Sequence, residues 1–173
     1  MLPPFVVSVL VSCCCVGLAV ADEVAIRRED QFKAAYLFNF VQFVDWPVTV
    51  APDVLTVCFS GGAGVYAVLA AGIEDKRVGN RRLAVRRTSA GVDSCNVLYL
   101  DAATVATAPS TAGLPILTVS DSEAFARNGG MIELFMDGNR LRFRINVGNA
   151  QKAGLRISSD LLRLAAAVEG SAR

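Results

Sequence analysis

Few side chains in this sequence are equipped for covalent chemistry. The chain has no histidine, and its lysines are Lys33, Lys76 and Lys152. A Ser or Cys nucleophile needs a base within hydrogen-bond reach, most often His, and none of the lysines stands in a recognisable nucleophile motif. Glycoside chemistry would need two carboxylates across a cleft. Asp45, Asp101, Asp121 and Glu133 are candidates that the sequence alone does not set against one another. Without His the usual zinc ligand set is missing, and no cofactor is implied. These residues argue against an enzyme.

Binding chemistry has more to work with. Gly61, Gly62 and Gly64 follow an apolar run and open a helix, where an anion could meet free backbone N–H groups. The spacing is neither a dinucleotide fingerprint nor a P-loop, and a tight strand-to-helix turn is the competing reading. Arg81, Arg82, Arg86 and Arg87 either meet an anion or defend a strand edge.

Cysteine usage points to export. Residues 1–21 carry no charge and end in Ala19-Val20-Ala21, the pattern of a cleaved secretory signal. A competing reading takes Leu10-Val11-Ser12-Cys13 as a lipoprotein box that leaves Cys13 lipid-anchored. After cleavage, residues 22–173 keep Cys58 and Cys95. Two cysteines in an oxidising compartment are usually paired; two buried free thiols are the alternative.

The elements that must position these residues follow from periodicity. In KAAYLFNFVQFVDWP, residues 33–47, and just before it, Phe32, Tyr36, Phe40, Phe43 and Val44 recur at helical spacing, ending at Pro47. Residues 54–60 (VLTVCFS) read as a buried strand, and residues 64–71 as a helix. Residues 82–89 read as a strand at or near an edge, and residues 96–100 and 115–121 as further strands. A weak alanine-rich helix before Pro109 and a short capped helix in SEAFARNGG join them. Asp137-Gly138 lies between two period-two runs, a hairpin signal. A short helix over residues 149–154 and a capped C-terminal helix with Leu161, Leu162, Leu164, Ala165 and Val168 facing inward complete the chain.

Alternating strands and helices predict an α/β fold: a largely parallel sheet flanked by helices, with an N-terminal aromatic helix and a C-terminal antiparallel hairpin plus helix. The 173 residues, 53% hydrophobic, suit one domain over residues 22–173. With 17 basic against 16 acidic side chains, the chain is nearly neutral and carries no signature of a nucleic-acid partner.

KAAYLFNF with Phe43, Val44 and Trp46-Pro47, then ILTVSDSEAFARNGGMIELF, residues 142–146 and AGLRISS resemble, in order, the YfiR-like family of periplasmic proteins. Cys58 and Cys95 also fall where that family often carries cysteines. The resemblance implies a dimeric periplasmic regulator, not an enzyme, that binds and represses the sensor domain of an inner-membrane diguanylate cyclase. Release raises cyclic-di-GMP and favours biofilm, and the family's oxidative state affects its folding. The alternative is a periplasmic small-ligand sensor, or an accessory protein of another membrane receptor or kinase.

Two surfaces are candidates for the partner or a second copy. Phe38, Val41 and Trp46 lie off the main aromatic stripe: covered by the C-terminal helix they belong to the core, and uncovered they leave apolar surface for a contact. Glu133, Arg142, Arg144 and Asn146 are expected to project from the hairpin, where charges set specificity more than affinity.

Overall fold

A computed structural model of the chain describes residues 26–47, 53–73, 76–88 and 91–170. The expected signal segment and Cys13 lie outside the described residues. Helix α1 (Arg28–Gln42) is followed by β1 (Val44–Asp45), β2 (Val54–Ser60), α2 (Ala63–Gly72), β3 (Arg77–Val78), β4 (Arg81–Arg87) and β5 (Val97–Leu100). A 3-10 turn at Val105–Thr107 leads to β6 (Leu117–Ser120), β7 (Ile132–Asp137), β8 (Arg140–Asn146), α3 (Val147–Lys152), β9 (Arg156–Ile157), α4 (Ser159–Leu164) and β10 (Ala167–Glu169).

Among the described residues, eight strands form one sheet in the order β10-β8-β7-β6-β5-β2-β4-β3. The four neighbouring pairs from β7 to β4 are parallel, as is β10 against β8. The β7–β8 hairpin and the short β3–β4 pair are antiparallel. This is the expected α/β architecture. Strands buried on both faces read as continuous apolar runs, which is why VLTVCFS and VLYL were legible as strands.

The two faces of the sheet are covered differently. Leu55, Val57, Phe59, Val97, Leu117, Val119, Ile132, Leu134 and Phe143 pack with Leu37, Phe40 and Val41 of α1 and Val65 and Leu69 of α2. Phe40 and Phe143 meet edge to face at 5.2 Å between centroids, and Tyr36 joins Phe143 at 5.6 Å. On the opposite face Cys58, Leu98, Leu100 and Ile116 pack with Val92, Cys95 and Phe125 from irregular segments.

Several expectations need correction. The inward arc of α1 runs through Asp30, Lys33, Leu37, Phe40 and Val41, and Phe32 is 38% exposed beneath the Arg28 guanidinium. The arc is rotated because two charged residues sit on it, where the sequence reading admitted apolar ones alone. Val41 (1% exposed) and Trp46 (6%) are core residues and leave no apolar surface.

SEAFARNGG forms turns rather than a helix, with Ala124 at φ 60° and Gly129 at φ 105°, both incompatible with a continuing right-handed helix. The alanine-rich helix shrinks to the 3-10 turn. In the hairpin Asp137 pairs with Arg140, so Gly138 and Asn139 form the turn, and Gly138 at φ 59° takes the first central position of a II′ pattern. The C-terminal helix stops at Leu164, which is 68% exposed, and the chain continues as β10. There Ala166 N–H donates to the Phe143 carbonyl, so hydrogen bonding to the edge of β8 replaces the expected helical continuation.

Candidate functional site

Cys58, the fifth residue of β2, and Cys95, two residues before β5, form a disulfide with a Cα–Cα distance of 5.7 Å. The register sets Cys58 opposite Leu98, three residues beyond Cys95. The turn closed by Cys95 N–H on the Val92 carbonyl folds the second sulfur back onto the Cys58 face. Two parallel strands in simple register would hold these sulfurs apart, and this turn brings them together.

Asn96, next in sequence, is buried, and its backbone and side-chain oxygen are hydrogen-bonded. Its side-chain oxygen accepts from Thr56 N–H at 2.9 Å, and its own N–H donates to the Thr56 carbonyl at 2.9 Å. Its carbonyl accepts from Leu117 N–H and from the Trp46 indole N–H at 3.2 Å. One residue therefore joins β2, β6 and the residue that follows β1 beside the bridge. Arg86 reaches the Cys95 sulfur at 3.3 Å, and Arg87 stacks on Tyr66 at 4.4 Å. β3 pairs with Arg81 and Arg82 alone, so Arg86 and Arg87 lie on a part of β4 with no outer strand among the described residues.

At the carboxyl ends, Asp101 and Asp121 each stand one residue past a strand, β5 and β6. Lys33, buried on α1, donates to Asp121 at 2.5 Å and pairs with Glu29 at 2.6 Å. Tyr99 hydroxyl donates to the same Asp121 at 3.1 Å, and Ala102 N–H to its other oxygen at 3.0 Å. Burial pulls the Lys33 ammonium down, but hydrogen bonds to Asp121 and Glu29 outweigh it and raise its pKa. Burial first, then the Asp121 charge, pushes the Tyr99 phenol far up. The cluster holds a charged lysine and a neutral phenol on one carboxylate.

The glycines read as a tight turn or an anion site form a strand-to-helix turn at the carboxyl end of β2, with Gly61 at φ 80° and Gly62 at φ 61°. The protein supplies its own anion there. Asp101 accepts from Gly62 N–H at 2.7 Å and from Thr104 N–H and hydroxyl, and a Cβ on Gly61 would strike the Asp101 carboxylate. A Cβ on Gly64 would meet Asp30 in the same way. Burial raises the Asp101 pKa, yet the hydrogen bonds from Gly62 and Thr104 prevail and lower it.

The hairpin residues divide. Glu133, 2% exposed, faces Arg144 across the ladder, pairs with it at 2.5 Å and accepts from Ala126 N–H at 3.2 Å. Arg144 also stacks on Phe135 at 3.8 Å. Asn146 donates to the Ala126 carbonyl at 2.9 Å and caps α3 by accepting from Asn149 N–H. Glu133, Arg144 and Asn146 thus tie the 122–130 turns to the hairpin, while Arg142 is exposed beside Asp137. Phe38 is half-buried and lines an apolar groove of about 240 Å³ between α1 and α2.

A cleft of about 430 Å³ opens between the end of β6 and the continuing β7, lined by Glu29, Lys33, Asp121, Glu123, Leu134 and Arg144 among others. Lys33, Tyr99 and Asn96 were missed at the sequence level. For Lys33 a signal existed: it lies four residues after Glu29, the spacing of a helical ion pair.

Among the described residues no helix is long and apolar enough to cross a membrane, and no group of acidic, Cys or His residues forms a metal site. Residues 30–166 match the YfiR/HmsC-like family from α1 to the residue before β10, taking in both cysteines and the cleft. The chain belongs to the YfiR/HmsC-like family.

Proposed function

We propose that this protein is a periplasmic regulator that binds the sensor domain of an inner-membrane diguanylate cyclase and holds the enzyme inactive, lowering cyclic-di-GMP and biofilm formation. The observation that carries this reading is the family match over residues 30–166. The geometry suits it. The conspicuous acidic and basic groups are spent on one another, as in a scaffold, and the anion turn is filled by Asp101.

Redox sensitivity enters through the bridge. The Cys58–Cys95 link, with a sequence separation of 37, staples the face of the sheet that carries no α-helix among the described residues. Reduction there loosens the repressor. Phe38 and Arg142 remain available to a partner or to a second copy in a homodimer.

The test is intracellular cyclic-di-GMP in cells lacking the protein, in cells expressing it, and in cells expressing Cys58→Ala. Deletion should raise the nucleotide, the wild type should restore it, and the variant should restore it less. Flat levels across all three would sink the repressor reading.

A further inference from the structure

β6 ends at Ser120 and pairs with β7 only at Val119 with Ile132 and Ser120 with Glu133. β7 runs on to Asp137, so beyond Glu133 its outer edge has no neighbouring strand among the described residues. The ladder phase shows which groups this leaves open. Asn146 N–H donates to the Met131 carbonyl at 2.7 Å, and antiparallel residues alternate between bonding to the partner strand and turning away. Glu133, Phe135 and Asp137 therefore bond towards β8, the Leu134 N–H closes the β6 pairing on the Ser120 carbonyl, and the Leu134 carbonyl with the N–H and carbonyl of Met136 faces the cleft.

Edge strands are usually guarded by proline, a bulge, a free inward lysine or a covering loop. Residues 134–136 are Leu-Phe-Met, Met136 is 44% exposed, and Lys33 is already held by Glu29 and Asp121. An open strand edge beside a slot of about 430 Å³ has the form that accepts an added strand.

Charge selects the occupant. Of the four carboxylates that line the cleft, Glu29 and Asp121 share Lys33 and Glu133 holds Arg144, which leaves the lining about two negative charges in excess and Glu123 exposed without an ion pair among the described residues. A second copy would press one acidic rim against another, and like charges across an interface are costly. We infer that the β7 edge accepts an extended segment of the membrane receptor carrying Lys or Arg at alternate positions, which strand geometry puts on one side. This inference rests on the receptor-binding reading above.

The test uses the folded exported protein and a labelled peptide, acetyl-Lys-Val-Lys-Val-Lys-amide, with its Glu counterpart as control. Anisotropy should show the basic peptide binding at least about tenfold tighter, and it should slow amide exchange at Met136. Met136→Pro removes one cleft-facing N–H and spares the β8 ladder. It should lose binding about tenfold or more, while Met136→Ala stays within about threefold. Glu123→Lys, at an exposed site, should invert the preference between the two peptides without disturbing the fold.

Equal binding of both peptides, no binding, unchanged exchange or a proline variant that behaves like the alanine one would overturn the inference. So would self-association that Met136→Pro abolishes, since the occupant would then be a second copy. In cells, failure of Met136→Pro and Glu123→Lys to lower cyclic-di-GMP where the wild type does supports the edge. Full repression by both overturns it and leaves the repressor reading standing. Flat nucleotide levels on deletion overturn the receptor as the source of the segment.

Discussion

On one face of the sheet, Tyr36, Phe40 and Phe143 interlock beneath α1, and Val65 and Leu69 of α2 extend the same apolar layer. On the other face, Leu98, Leu100 and Phe125 lie under turns and a 3-10 segment, with a covalent bond between Cys58 and Cys95 in their midst. A helix brings a continuous stripe of side chains to a sheet, whereas irregular segments bring a few and expose more backbone. The difference teaches that one face is held by packing area and the other by a constraint on the chain. Reduction of the bridge is therefore expected to act on the second and to leave the first alone.

That contrast can be broken in order of expected effect. Phe40→Ala should cost about 3–5 kcal/mol in denaturant unfolding, with the same loss in reducing and oxidising buffer. A redox-dependent loss would mean that the faces are coupled. Replacing both bridge cysteines with alanine should cost roughly 3–4 kcal/mol by the loop-entropy estimate. The double variant should then be insensitive to reductant, and any residual sensitivity would place the redox response elsewhere.

Lys33→Met sharpens the picture at the carboxyl ends of the strands, with an expected loss of about 1.5–3 kcal/mol for charge-assisted hydrogen bonds that leave Asp121 under-satisfied. The pH dependence has a definite sign. Lys33 and Tyr99 both have raised pKa values, so their contribution is complete below the ordinary values of 10.5 and 10.0 and is lost as pH rises through the folded ones. Alkaline unfolding should therefore be shallower in Lys33→Met, and an unchanged slope would contradict the buried pair. Asp101, lowered from an ordinary 3.8, acts oppositely: its contribution holds above that value and falls away in acid. Smallest of all, Leu164→Ala should change stability by less than about 0.5 kcal/mol, because its side chain is exposed past the end of the helix-covered face.

The parallel strands and α2 were readable because apolar β-branched runs and a glycine turn carry their structure locally. What the sequence hid depends on contacts between distant elements. Asp30 and Lys33 look like surface charges until Arg27, Glu29 and Asp121 meet them. Trp46 reads as an exposed anchor until Asn96 accepts its N–H. The C-terminal segment has helical periodicity, but the open edge of β8 captures residues 167–169 as a strand. Glu133, Arg144 and Asn146 alternate as an exposed hairpin should, and the 122–130 turns close over them. The bridge was readable as a pairing, though not as a geometry, since the turn that returns Cys95 to the Cys58 face leaves no periodic trace.

Trp46 is the single tryptophan of the chain, and its indole is hydrogen-bonded to the carbonyl of the residue after Cys95. Indole emission responds to the polarity around the ring and is quenched by a neighbouring disulfide. Trp46 packs with the helix-covered core while this hydrogen bond ties it to the backbone beside the bridge, so the molecule carries its own optical reporter between the two faces. Opening of the bridge can be followed by intrinsic emission in real time, without a label and without unfolding the aromatic layer beneath α1.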